Sequence, residues 1–166
     1  TLLGSFAGKD ISTGDYGIGI GYSALGSNGT ALTGDNNVMI GGFAGANLTS
    51  GYDNVAVGYA ALDACTTGVE NISIGTDAGG AVTTGYENIC VGRNAGAAIT
   101  TAIRNTIVGD DGYYLGTGGS NTVIGRFTGN QNNLDIRTGT KNIVVSNGDG
   151  EPRIFTNQEG YTKMMA

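Results

Sequence analysis

The residues able to do chemistry in this chain are fourteen carboxylates, two cysteines and eight tyrosines, set among 32 glycines, and there is no histidine. A Ser-His-Asp or Cys-His nucleophile is therefore excluded, as is any His-based metal site. Asp53, Glu70 and Glu87 each stand immediately before an Asn, so a fold that stacks those positions makes them neighbouring carboxylates, with Arg104 next in line. Adjacent like charges are unfavourable unless solvated or bridged by a cation such as calcium. Solvation is the expected state, because exposed charges interact weakly, and calcium at these three residues is the alternative. A glycosidase pair needs carboxylates roughly 5 to 9 Å apart in a cleft. A straight column offers the spacing and no cleft, so no enzymatic activity and no cofactor are expected.

Tyr16, Tyr52 and Tyr86 precede the same frame position in three units, while Tyr22 and Tyr59 follow a glycine. Tyrosine has an apolar ring and a polar tip, so the first three are candidate receptor-binding residues; the competing role is to cover turns. GIGIGY at 17–22 looks like a nucleotide loop, but it lacks the strand, loop and helix context that such a loop needs. Asn28, Asn47 and Asn71 head sequons of a kind that arise by chance. Thr67, Thr84 and Thr101 form a column too, yet Gly68, Gly85 and Ala102 follow them, which places them at turns rather than on a flat ice-binding face. Cys65 and Cys90 fall at different points of the repeat, and two buried thiols are expected rather than a disulfide framework.

The elements that position these residues follow from a repeat. NVMIG at 37–41, NVAVG at 54–58, NISIG at 71–75, NICVG at 88–92, NTIVG at 105–109 and NTVIG at 121–125 share one frame, which extends to TLLG at 1–4, GIGIG at 17–21 and NIVVS at 142–146. From Gly4 to Gly125 the closing glycines are 17, 20, 17, 17, 17, 17 and 16 residues apart. Such regularity marks a solenoid. Alternating apolar residues followed by Gly and a Thr-rich turn, as in TTG at 66–68 and 83–85, describe strands and turns, and this composition is poor in helix formers. The expected class is all-β: a parallel β-solenoid of roughly 17-residue coils with two short strands each, rising about 4.8 Å per coil. The array is expected over 1–125, with a β-rich C-terminal cap over 126–166, which holds Pro152 and five of the eight basic residues.

Stacked coils turn positions into ladders. Asn37, Asn54, Asn71, Asn88, Asn105, Asn121 and Asn142 are expected to form a structural ladder of side-chain amides. Within each strand, the outer pair, such as Val38 and Ile40, is expected to fill the interior. The residue between them is expected to point away: Met39, Ala56, Ser73, Cys90, Ile107, Val123 and Val144, preceded by Leu2 and Gly19. That column carries no charge, and a coil built of small side chains buries little by itself. Both facts predict that the column faces other copies of the chain.

NVAVGYAAL at 54–62 and TTGYENICVGRNAG at 83–96 resemble the left-handed parallel β-roll repeats of trimeric autotransporter adhesin heads and, more closely, related repeats in phage tail fibres. NTVIGRFTGNQNNLDIRTGTKNIVVSNGDGEPRIF at 121–155 is similar to the segment closing such arrays in tail-fibre proteins of marine and cyanobacterial phages. The resemblance implies a homotrimer in a virion tail fibre that attaches to a host-surface glycan or protein. The alternatives are the head of a bacterial surface adhesin and a polysaccharide-degrading tailspike. The chain shows neither the coiled-coil stalk and anchoring barrel of the adhesins nor the self-cleaving chaperone of many fibres, and is expected to be a piece of a longer protein. A net charge of −6 and scattered basic residues exclude a nucleic-acid partner. No run of 18 apolar residues predicts membrane insertion.

Overall fold

A computed structural model describes residues 1–166 except 15, 27, 112–115, 165 and 166. The chain is an all-β parallel solenoid of about eight turns. Each turn contributes one short strand: β1 (Leu2–Leu3), β2 (Ile18–Ile20), β3 (Val38–Ile40), β4 (Val55–Val57), β5 (Ile72–Ile74), β6 (Ile89–Val91), β7 (Thr106–Val108) and β8 (Thr122–Ile124). These pair in parallel and in sequence order, with equivalent residues opposite one another, as in Met39 against Ala56 and Ser73 against Cys90. The second strand expected per coil is absent among the described residues. Turns replace it, joined from coil to coil by single backbone bonds such as Leu62 N–H to Ala78 C=O and Thr66 N–H to Thr83 C=O.

The glycine closing each strand has φ between +101° and +148° from Gly4 to Gly125, a region essentially closed to side chains. A Cβ on Gly21 would also lie 2.6 Å from the carbonyl carbon and oxygen of Gly41 in the following coil. Each glycine thus yields to the backbone ahead of it. Ser146 stands in this column after Gly125, and there the parallel stacking ends: β11 (Ile143–Ser146) pairs with β8 in parallel and with β12 (Pro152–Thr156) antiparallel, the register shifting at Val145/Ser146. β13 (Thr162–Met164) follows antiparallel to β12, and a two-strand hairpin, β9 (Asn130–Gln131) with β10 (Leu134–Asp135), lies off the main sheet. The parallel array therefore runs past residue 125 to include β11. Met165 and Ala166, at the end of the expected cap, are outside the described residues.

The core corrects the expected strand orientation. Met39, Ala56, Ser73, Cys90, Ile107, Val123 and Val144 are buried inside their own coils, with at most 1% of their surface exposed. They pack with two further rows, Ala24, Ala44, Ala61, Ala78 and Ala95, and Leu32, Leu48, Cys65, Val82 and Ile99. Neighbouring strand residues point to opposite faces, so the larger Ile and Val beside them face outward. The reason is space. The middle residue shares one small volume with the residue six positions later, and the two trade size: Leu2 with Gly8, Gly19 with Leu25, Met39 with Gly45, Ala56 with Leu62 and Cys90 with Gly96, while beside Ser73 and Gly79 the space is filled by Leu62 of the preceding coil. A Cβ on Gly45 would sit 2.5 Å from Met39 Sδ, and one on Gly96 2.5 Å from Cys90 Sγ.

This exchange makes a test. Ala56→Met is expected to lose about 1–3 kcal/mol through overpacking against Leu62. Combining it with Leu62→Gly recreates the Met39/Gly45 pair and should recover most of that loss, giving a coupling of at least about 1 kcal/mol in urea denaturation. Additive losses would show that the two positions do not share space.

Candidate functional site

The sheet's outer face runs along the whole stack of coils. Its two columns are Ile18, Val38, Val55, Ile72, Ile89, Thr106, Thr122 and Ile143, and Ile20, Ile40, Val57, Ile74, Val91, Val108, Ile124 and Val145. None is charged. Ile72, Ile74, Ile89, Val108, Ile124 and Ile143 leave 36–47% of their surface uncovered. The middle column owes its lack of charge to burial within the chain, so it carries no argument about partners. The flanking columns carry one, because β-branched residues repeated along an exposed sheet form a contiguous apolar patch of the kind that monomers seldom present.

Beneath that face runs the Asn ladder. In each step the side-chain amide donates to the Oδ1 of the Asn one coil earlier, at 3.0–3.2 Å from Asn54 to Asn142. The same oxygen also accepts the backbone N–H of that later Asn, as between Asn71 N and Asn54 Oδ1 at 3.0 Å. The second amide hydrogen binds a turn carbonyl, Gly51 for Asn37, Gly68 for Asn54 and Ala102 for Asn88. Each Asn from Asn54 to Asn121 is thereby used on both sides while buried, which satisfies groups that would otherwise cost free energy to desolvate.

The carboxylate column does not converge. The Asn36 amide donates to Asp53 at 2.9 Å, and the Arg104 guanidinium binds Glu87 at 2.8 Å while lying over the Tyr86 ring. Of Asp53, Glu70 and Glu87, Arg104 pairs with Glu87 alone, and among the described residues no three His, Cys, Asp or Glu side chains group to hold a metal ion. These residues share another property: Asp53, Glu70, Glu87, Arg104, Ser120 and Lys141 all have φ of 55–59°, so the position is a left-handed turn that thrusts its side chain outward. The buried thiols of Cys65 and Cys90 are pushed up to about 11 and about 12 by desolvation, leaving them protonated at neutral pH. Ser73 Oγ has only the weak thiol of Cys90 as a partner.

Tyr16 and Tyr52 are exposed, Tyr16 by 85%, and Tyr86 is half-buried. The structure does not bring these three into one cluster: the ring contacts of the described residues link Phe6, Tyr22, Phe43 and Tyr59 instead. Phe6 and Phe43 escaped sequence reasoning because they stand two residues after the closing glycine, whereas Tyr22 and Tyr59 stand one after it. Only a stacked corner puts the two positions in one row. At the same corner the later coils carry ions, Arg93 pairing with Asp110 at 2.7 Å and Arg126 with Asp111 at 2.9 Å. The Asn94 amide and then the Arg126 guanidinium hold the Asp111 carboxyl below its usual range. No helix among the described residues is long and apolar enough to cross a membrane. Compared with protein-family models, curated proteins and solved structures, the chain matches none.

Proposed function

We propose that this chain is a structural and adhesive segment of a homotrimeric fibre, a left-handed β-roll of a virion tail fibre that mediates attachment to a host surface. The observation that supports the reading is the uncharged, exposed Val and Ile face, which moves the trimer contact from the middle column to its two neighbours. Three copies packed through these faces would bury apolar surface along the whole rod, at about 25 cal/mol for each Å² removed from water, and so compensate for coils filled by Ala and Ser. Residues 126–166 act as the closing cap, where antiparallel β12 and β13 occupy the place of a further parallel coil. Host attachment rests on the resemblance of the repeats to those of tail fibres.

Sedimentation velocity tests the proposal. The expected particle has three times the 16.7 kDa chain mass, and Ile74→Lys with Val91→Lys should yield folded monomers, since both side chains point out of the coil. A parent protein that stays monomeric at micromolar concentration would overturn the fibre reading. Retention of labelled trimer on host cells, lost for the monomeric variant, tests attachment.

A further inference from the structure

At the corner following the closing glycine, four aromatic rings form one row across the first four coils. Phe6 meets Tyr22 with centroids 5.7 Å apart, Tyr22 meets Phe43 at 5.3 Å and Phe43 meets Tyr59 at 5.8 Å, each edge to face. The rings cover little, for 37–59% of each residue's surface remains open to solvent. Two of them are also held in an unfavourable backbone state. Phe6 and Phe43 both have φ of 61°, at a position that is left-handed in each coil from Gly4 to Gly109 and is filled in the others by Ser23, Ala60, Asp77, Asn94 and Asp111 with φ of 52–57°. Asn and Asp tolerate this left-handed conformation, and a bulky aromatic is a true outlier there. The fold imposes this conformation on each of these coils, so what sets Phe6 and Phe43 apart is a large, partly exposed ring where Asn or Asp would fit at less cost, and that placement points to a function.

A second feature adjoins the row. The coil from Gly21 to Gly41 is the one whose glycines are 20 residues apart, and its extra length lies between Ala24 and Leu32. That segment brings Asn28 to Asn47, the Asn28 amide donating to Asn47 Oδ1 at 3.3 Å while the Asn47 amide donates to the Asp63 carbonyl at 2.7 Å. Together with Phe43, Tyr59 and the Asp63 side chain they line an open depression of about 440 Å³. Aromatic faces beside amides and a carboxylate are what a sugar needs, since its ring presents C–H bonds on its faces and hydroxyls at its edge. The charges nearby decide which sugar. Asp63 faces Asp77, Asp10 binds the inserted segment through Gly29 N–H, and Lys9, over the Phe6 ring, is the cation at the far end of the row. An anionic chain would be repelled at the depression. Burial, and then Asp77, raise the Asp63 carboxyl above its usual range.

We infer that the row Phe6, Tyr22, Phe43 and Tyr59, with Asn28, Asn47 and Asp63 beside it, is a binding site for a neutral oligosaccharide lying along the solenoid axis. The inference deepens the attachment reading, on which its biological purpose rests, by naming a receptor class and a place different from Tyr16, Tyr52 and Tyr86.

Saturation-transfer NMR tests it with the full chain and hexaoses of glucose, mannose, galactose and N-acetylglucosamine. Irradiating the aromatic protons should pass saturation to the C–H protons of at least one of these probes. Tyr59→Ala and Asn47→Ala should weaken binding at least tenfold, whereas Tyr161→Ala, at an exposed tyrosine outside the row, should leave it unchanged. Phe43→Asn is the discriminating variant: Asn suits the left-handed backbone, so the protein should melt with the parent and keep its oligomeric state while losing the sugar. Absence of transfer to all four probes would overturn the site, and so would unchanged binding by Phe43→Asn. Loss of the oligomer in Phe43→Asn would make the row a contact between copies and would equally overturn it. A parent that retains host cells yet ignores the probes loses only this site, while a monomeric parent that binds the probes loses only the fibre.

Discussion

Gly75→Ala is expected to destabilise the chain by about 4 kcal/mol or more, a size that single substitutions reach only through a specific structural conflict. Two costs combine. The backbone at Gly75 has φ of +135°, a conformation that costs a side-chain-bearing residue of order 1–3 kcal/mol. The added methyl would also lie 2.6 Å from the carbonyl carbon of Gly92 and closer to its oxygen, and backbone in a ladder cannot rotate aside as a flexible side chain would. Relief requires opening the gap between two coils and stretching their parallel pairing. Gly148→Ala is the control, because nothing lies within 4 Å of the position a Cβ would take there; its effect should stay within about 0.5 kcal/mol. Urea midpoints at one protein concentration compare the two, and equal effects would show that the glycine column is not what sets the coil spacing.

The second large effect is expected at the centre of the ladder. Asn88 donates to Asn71 Oδ1 at 3.1 Å and to the Ala102 carbonyl at 2.8 Å, and its own Oδ1 accepts the backbone and side-chain N–H groups of Asn105 at 3.0 and 3.1 Å. Asn88→Ala removes the partner of each of these groups, every one in a buried setting, at about 1–3 kcal/mol per group left unpaired. A loss of about 3–5 kcal/mol follows once partial relaxation is allowed. Asn88→Asp separates polarity from shape. Its second oxygen would face two acceptors, Ala102 C=O and Asn71 Oδ1, so the folded chain would favour the protonated acid and raise its pKa above the unfolded value of about 3.9. Stability of this variant should therefore be highest below about pH 4 and fall as pH rises through the folded pKa. A variant equally stable at pH 4 and pH 8 would contradict the hydrogen-bond directions given for the ladder.

The period, the parallel stacking and the positions of the Asn and Gly columns were legible because each leaves a residue type repeated at fixed spacing. The orientation of the strand was not. Val38 and Ile40 are larger than Ala56 or Ser73, and bulk suggested burial, yet the coil is too narrow to hold two β-branched side chains per strand. A signal for the true orientation does exist in the sequence. Met39 with Gly45 and Gly19 with Leu25 exchange volume across six residues, while Ile40 and Val57 show no such partner. Columns read singly could not display it. The second strand expected per coil is replaced by bends, since the Thr pairs at 66–67 and 83–84 have residues fit for strands but run directly into Gly68 and Gly85. Of the aromatic corner, Tyr22 and Tyr59 were visible and Phe6 and Phe43 were not, because the row depends on alternating offsets after the glycine. The absence of charge along the inward column fits burial in the same chain as well as burial by another.

The volume exchange between a middle strand residue and its partner six positions later is made mostly within one coil, with Leu2, Leu62 and Ile107 also reaching towards Gly19, Gly79 and Gly96 of a neighbouring coil. Most of what a coil asks of a neighbour is therefore generic: a carbonyl above its glycine, an amide for its Asn and a strand edge in register. Duplication or loss of one 17-residue unit changes the rod's length by about 4.8 Å and asks for repacking only of the inward side chains at the new junction. Such a rod can be lengthened or shortened by unequal recombination between its repeats while the surface at either end stays as it was, which makes reach a quantity that can vary independently of whatever the first coils present.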